Sequence, residues 1–207
     1  MKKKERVVIV SGFSGTGKST IVEAVSKAFK MKKVFTSGVL KNLLLKENNA
    51  FKKFSKNLGF WESIEGKKLM KQRAKDSNAD KKLDKELFKI IAKGNVVMDS
   101  WTMGYLSKKG FKIWLYAPIE VTAKRIALRN KPFSWKKNLS KLPYKKVLKY
   151  AKAKNKKTTK IYEKLYGFTL GKNLEKFDLV LNTANFSEKE MKKIVLQIVR
   201  NYFGNKK

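Results

Sequence analysis

The stretch Gly12–Ser19, "GFSGTGKS", follows the apolar run Arg6–Gly12, "RVVIVSG", and opens an amphipathic segment at Lys18. Glycine at position 12 lets a strand end in a sharp turn, while Gly15 and Gly17 permit positive φ and close backbone approach. The N–H groups of such a loop, backed by a helix N-terminus, converge on phosphate oxygens. Lys18 is placed to reach terminal phosphates, and the Ser19 hydroxyl to bind Mg2+. The spacing GxxxxGK[ST] is specific when a buried strand precedes it and a helix follows, and both conditions hold here. Gly12, Ser14, Gly15, Thr16, Gly17, Lys18, Ser19 and Thr20 form the expected cradle for a nucleotide's phosphates.

Outward from this loop, short β-branched runs alternate with helix-like segments. That alternation predicts an α/β fold with a mainly parallel sheet flanked by helices. Lys18–Phe29 reads as a helix with Ile21, Val22, Val25 and Phe29 on one side. Further strands are expected at Lys33–Gly38, Asn95–Ser100, Lys112–Pro118 and Phe177–Thr183. Ser187 and Glu190 have the spacing of a capping box ahead of a last helix. Its apolar stripe comprises Met191, Ile194, Val195, Ile198, Val199 and Tyr202, with Gly204 after it.

Two segments interrupt the alternation and read as insertions in a single domain over residues 1–207. Residues 39–75 are helical in tone and are expected to cover the acceptor side of the loop. Residues 131–160 hold a dozen lysines and no acid, and are expected to be helical from about Tyr144. Such a segment repels itself unless solvated or closed over an anion. It is a candidate lid, with Lys152, Lys154, Lys156, Lys157 and Lys160 as its cations.

Composition narrows the chemistry. The 207 residues contain no cysteine and no histidine, which removes disulfides, thiolate zinc sites and imidazole bases. No apolar run approaches the roughly 20 residues that a membrane helix needs, so a cytoplasmic location is the expectation. Lys+Arg is 51 against 16 for Asp+Glu, a net charge of +35. Two readings of that excess stay open: lysine-biased composition on a solvated surface, or an anionic partner such as nucleotide or RNA.

Asp99 ends the third apolar run, where an acid at a strand's C-terminal edge can hold a Mg2+ shell. Arginine is scarce in this chain: Arg6, Arg73, Arg125, Arg129 and Arg200. Two of the five lie four residues apart on one expected helix. A guanidinium offers bidentate phosphate contact and base stacking that lysine does not. Arg125 and Arg129 are therefore candidate nucleotide contacts, and Arg125 and Lys154 join Lys18 as candidate catalytic cations.

Across most of its length the chain resembles the archaeal-type cytidylate kinases, within the P-loop nucleoside monophosphate kinases. The likeness lies in the glycine loop, "DKKLDKELFKIIAKGNVVMD", "KIWLYAPIEVTAKRIALRN" and "YEKLYGFTLGKNLEKFDLVLNT". Tyr166, Gly167, Phe177, Asp178, Leu179, Val180, Asn182 and Thr183 carry its tail pattern. The resemblance implies a five-stranded parallel sheet with an acceptor-binding insertion and a lid. It also implies transfer of a phosphate from ATP, with Mg2+, to CMP or dCMP. Lys18, Ser19, Arg125 and Arg129 fall on matching positions. Asp80 and Asp84 fall in the family's acid-bearing helix near the acceptor.

The departures lie on the acceptor side and in the lid. The family pattern Ser-Gly-Asp-x-Phe-Arg is here Ser37-Gly38-Val39-Leu40-Lys41, so Lys41 stands for the arginine. Glu-Gly-Arg after the third strand is here Asp99-Ser100-Trp101. In the lid, Lys154 and Ile161 replace arginines. Ser37, Gly38, Lys41, Asp80, Asp84 and Trp101 are the expected acceptor contacts. Lysine keeps charge without bidentate geometry, and tryptophan keeps neither. Two further readings therefore stand beside the kinase of CMP: a P-loop kinase for another acceptor, and an RNA- or ribosome-associated ATP-binding protein with weak ATPase activity.

Overall fold

A computed structural model describes residues 5–47, 78–128 and 144–205. Five strands form one all-parallel sheet in the order β2-β3-β1-β4-β5. They are β1 (Val7–Ser11), β2 (Lys32–Phe35), β3 (Val96–Asp99), β4 (Phe111–Tyr116) and β5 (Leu179–Asn182). The described helices are α1 (Lys18–Phe29), α2 (Thr36–Glu47), α3 (Asn78–Lys93), the single turn α4 (Met103–Leu106), α5 (Ile119–Leu128), α6 (Tyr144–Tyr166) and α7 (Glu188–Asn205). Every residue of β1 is buried, as a central parallel strand with helices on both faces requires.

Each face of the sheet has its own core. On one, Val8, Val10, Ile113 and Leu115 meet Ile21, Val22 and Val25 of α1 and Met191, Val195 and Val199 of α7. On the other, Val7, Ile9, Val96 and Met98 meet Leu40 of α2 and Leu83, Leu87 and Ile91 of α3. A third cluster, mostly aromatic, joins Tyr105, Trp114, Tyr162, Phe168 and Phe177 beneath the glycine loop. The expected capping box forms in both directions: Ser187 N–H donates to Glu190 Oε2 at 2.8 Å and Glu190 N–H to Ser187 Oγ at 3.2 Å.

Two boundaries differ from the sequence reading. The second strand stops at Phe35, and Thr36, Ser37 and Gly38 already belong to α2. Phe35 pairs with Asp99, the last residue of β3, so the ladder has no partner beyond that point. Thr36 Oγ1 instead donates to the Asp99 carbonyl at 2.5 Å. At the other end of the chain, Gly204 lies inside the last turn of α7, which runs through to Asn205. Arg129, the larger part of the 39–75 insertion and the first part of the 131–160 segment lie outside the described residues.

Candidate functional site

The parallel order brings the ends of β1 and β3 side by side, with Val10 in register with Asp99. The glycine loop leaves the first strand and Ser100–Trp101–Thr102 leaves the third, so both segments border one crevice at the carboxyl edge of the sheet. Gly12, Gly15 and Gly17 have φ of 138°, 85° and 95°, the left-handed region. Space is as restrictive as torsion. A Cβ on Gly12 would lie 2.1 Å from the Leu115 carbonyl oxygen.

Inside this loop, Lys18 is buried. Its Nζ donates to the Phe13 carbonyl at 2.8 Å and stands 5.8 Å from the centroid of the Trp101 ring. Thr16 Oγ1 donates to the same carbonyl at 2.8 Å. Phe13 in turn sets its ring edge-on to Trp101 at 6.0 Å and to Trp114 at 5.9 Å. The loop is thus seated on the aromatic cluster, and Trp101 joins the lysine and the loop by contact with both.

Asp99 is half-buried at the end of β3. Burial raises its carboxyl above the usual carboxylate range, while the Lys18 and Lys154 ammonium groups pull it back down. Three expected site residues from three distant stretches therefore share one electrostatic neighbourhood. Ser19, at the start of α1, is exposed. Its hydroxyl and the Asp99 carboxylate are hard oxygen donors, the kind Mg2+ takes in ones and twos alongside nucleotide phosphates and water. Among the described residues no cluster of three or more acidic side chains could hold a metal by itself.

Beside the loop a cavity of about 310 Å³ is lined by Gly15, Gly17, Thr20, Arg125, Phe186 and Met191, among others. Arg125 reaches it from α5 and is held by Thr183. Its Nη1 donates to Thr183 Oγ1 at 2.9 Å and its Nη2 to the Thr183 carbonyl at 2.5 Å. Thr183 Oγ1 donates onward to the Tyr116 carbonyl at 3.2 Å. Thr183 lay in the tail pattern of the sequence without a role. Its role is to orient this guanidinium.

On the other side of β3, Asp80 and Asp84 are buried on one face of α3. The Asp84 carboxylate accepts from Thr102 Oγ1 at 2.9 Å and from the Tyr166 hydroxyl at the end of α6. Burial, then the bond to Asp84, raises the Tyr166 phenol above its ordinary value. Ser100 Oγ lies 3.4 Å from Thr102 Oγ1, and Ser11 Oγ donates to the Ser100 carbonyl at 2.6 Å. A chain of polar contacts therefore runs from the end of α6 to the last residue before the glycine loop. Nothing in the spacing of Asp84 and Tyr166, 82 residues apart, pointed to this pairing.

Lys41 stands on α2, whose Leu40 shares a core with Leu83 and Leu87 of α3. On α6, Lys152, Lys156, Lys157 and Lys160 are exposed, and Lys152 Nζ lies 3.7 Å from Glu120 Oε1 of α5.

The cytidylate kinase-like family matches residues 7–185. A cytidylate kinase of Sulfurisphaera tokodaii is 28% identical over 192 residues, covering 91% of this chain and 92% of that one. One of Pyrococcus horikoshii is 26% identical over 188 residues, covering 90% and 84%. Among solved structures, shikimate kinase from Bacteroides thetaiotaomicron superposes with a TM-score of 0.58 at 12% identity, covering 96% and 98%. Shikimate kinase from Acinetobacter baumannii in complex with shikimate gives 0.54 at 13%, covering 99% and 97%. These two likenesses speak to the fold, a five-stranded parallel sheet of the P-loop kinase kind. With a phosphate-cradling loop between β1 and α1 and a family match spanning the whole sheet, the chain is a P-loop phosphotransferase that belongs to the cytidylate kinase-like family.

Proposed function

We propose that this enzyme transfers the terminal phosphate of ATP to a nucleoside monophosphate, with CMP or dCMP as acceptor. The observation that carries the reading is Lys18, buried in the glycine loop, together with Asp99 at the carboxyl end of β3, a carboxylate on which the Lys18 and Lys154 charges both act. Two ammonium groups and one carboxylate there suit a phosphoryl group in transit and the cation that accompanies it. In this reading the backbone of Gly12–Ser19 cradles the donor phosphates. Arg125, oriented by Thr183, faces the donor nucleoside in the cavity beside the loop. Arg129 is the second guanidinium of that helix. Mg2+ would neutralise the phosphates when bound, held from the protein side by Ser19 and Asp99.

The acceptor phosphate is already an anion at neutral pH, so no protein base is required for its attack. An acceptor oxygen bonds to the transferred phosphorus as the bond to the ADP oxygen breaks. Lys18 and Lys154 stabilise the charge that spreads over the equatorial oxygens. Ser37, Gly38 and Lys41 of α2, with Asp80, Asp84 and Trp101, form the acceptor side. Relatives named cytidylate kinase at 26–28% identity support the choice of cytidine nucleotides.

A second reading changes the acceptor. Its motive is Trp101, which stands where the resemblance expects an arginine and is packed on Phe13 rather than carrying charge. A panel of nucleoside monophosphates with ATP and Mg2+, read by coupled detection of ADP, separates the two. Selective turnover of CMP and dCMP is the expected result. Equal or absent turnover across the panel would overturn the cytidylate assignment.

A further inference from the structure

The long helix α6 carries nine lysines between Tyr144 and Tyr166 and one acid, Glu163. Val147, Ala151 and Tyr162 are its buried residues. At 3.6 residues per turn, eight of the lysines fall within an arc of roughly 140° centred opposite that buried side. All eight are exposed. Lys145, Lys149, Lys152, Lys156 and Lys160 form one side of the arc, and Lys146, Lys157 and Lys164 the other. Lys154 lies outside the arc, and it is the one whose charge reaches Asp99. The helix thus divides its charge. One ammonium acts on Asp99, and eight lie on the side opposite the helix's buried residues.

Within the outward face, Lys152 pairs with Glu120, and Glu163 accepts from Thr169 Oγ1 at 2.6 Å. The other seven lysines make no ion pair among the described residues. Like charges three and four residues apart repel along a helix. A face built this way gains by meeting an anion that repeats along a line. Lys145 to Lys164 spans roughly 29 Å at 1.5 Å per residue. That is about one ammonium per 4 Å, close to the ~3.4 Å by which one strand's phosphates advance along the axis of a DNA duplex. A membrane surface fits less well, because an interfacial helix inserts an apolar face, and here the apolar side of α6 is spent on the protein core. Tyr150, 50% exposed, stands at the edge of the arc.

We infer that the outward face of α6 is a docking surface for the phosphodiester backbone of duplex DNA, separate from the phosphoryl-transfer site. Binding there is read by fluorescence anisotropy of a labelled DNA duplex, with an RNA duplex of the same sequence as the second arm, between 50 and 300 mM salt. The expected wild-type result is a log–log salt slope of about −4 or steeper. The variant replaces Lys145, Lys146, Lys149 and Lys164 by glutamine. It should weaken binding at least tenfold and flatten the slope by roughly 2 to 4, since each phosphate contact contributes about 0.9. A matched control replaces Lys27, Lys93, Lys189 and Lys193, exposed lysines on α1, α3 and α7, and should leave affinity within about twofold. Thermal melts confirm that both variants are folded. Equal losses in the two variants would show the charge to be diffuse and overturn the proposal. Wild-type binding that vanishes at 150 mM salt would do the same, as would binding to phosphatidylserine vesicles in place of either duplex. Binding to the RNA duplex with none to the DNA duplex would also overturn it.

Discussion

Lys18 rests its ammonium on the Phe13 carbonyl and against the face of Trp101, so the loop holds its own charge in a low-dielectric seat. Lys18→Ala should lower kcat about 10²–10³-fold, the usual cost of one preorganised electrostatic contact. Single-turnover transfer from ATP to CMP checks this. Asp99 gives a pH-dependent counterpart. Its folded-state pKa lies above the ordinary 3.8, chiefly through burial. As pH rises above that value the unfolded chain ionises first, so this carboxyl lowers stability progressively until it ionises in the folded protein too. Asp99→Asn should therefore gain about 0.5–2 kcal/mol at pH 7 and lose activity. Its stability advantage should shrink as pH falls toward 3.8. Urea titrations from pH 3.5 to 7.5 measure the window, and a constant difference would contradict the burial argument.

At the scale of elements, the end of α6 is tied to α3 by Tyr166 and Asp84. The tie connects a candidate lid helix with the helix that bears Asp80. Tyr166→Phe removes the phenol and leaves a buried carboxylate short of a donor, a loss of about 1–3 kcal/mol in denaturant unfolding. A loss confined to the surface range, below about 0.5 kcal/mol, would show the contact to be incidental. The capping box of α7 is a simpler case. Ser187→Ala should cost about 1 kcal/mol, because the first turn of the helix loses its acceptor while Met191 still has to seat against the glycine loop.

For the molecule as a whole, net charge and stability meet at the nucleotide. A chain of +35 raises the local concentration of anions near its surface. A ligand that binds only the folded state stabilises by mass action. MgATP at a hundred times its Kd should add about 2.7 kcal/mol to the unfolding free energy. The increment should be absent in Lys18→Ala, which separates binding in the loop from general charge attraction. No described helix is long and apolar enough to cross a membrane.

How much was legible beforehand follows from what kind of contact each feature needs. The strands as apolar runs, the bounds of α1, the capping box and the phosphate loop were readable because each depends on residues close in sequence. β1 is an apolar run, α1 has its periodicity, and GxxxxGK[ST] carries its own geometry. Where β2 ends was not readable, since it stops where β3 has no further residue to pair with. Local residues alone also marked Lys18, Ser19 and Asp99 as groups suited to a phosphate and a hard cation. Only the tertiary structure decided that Thr183 orients Arg125, that Tyr166 holds Asp84, and that Trp101 packs on Phe13 and Lys18. Those pairs lie 58, 82 and more than 80 residues apart. No spacing rule reaches so far; the strand order brings them together, because it sets which chain segments share the carboxyl edge of the sheet.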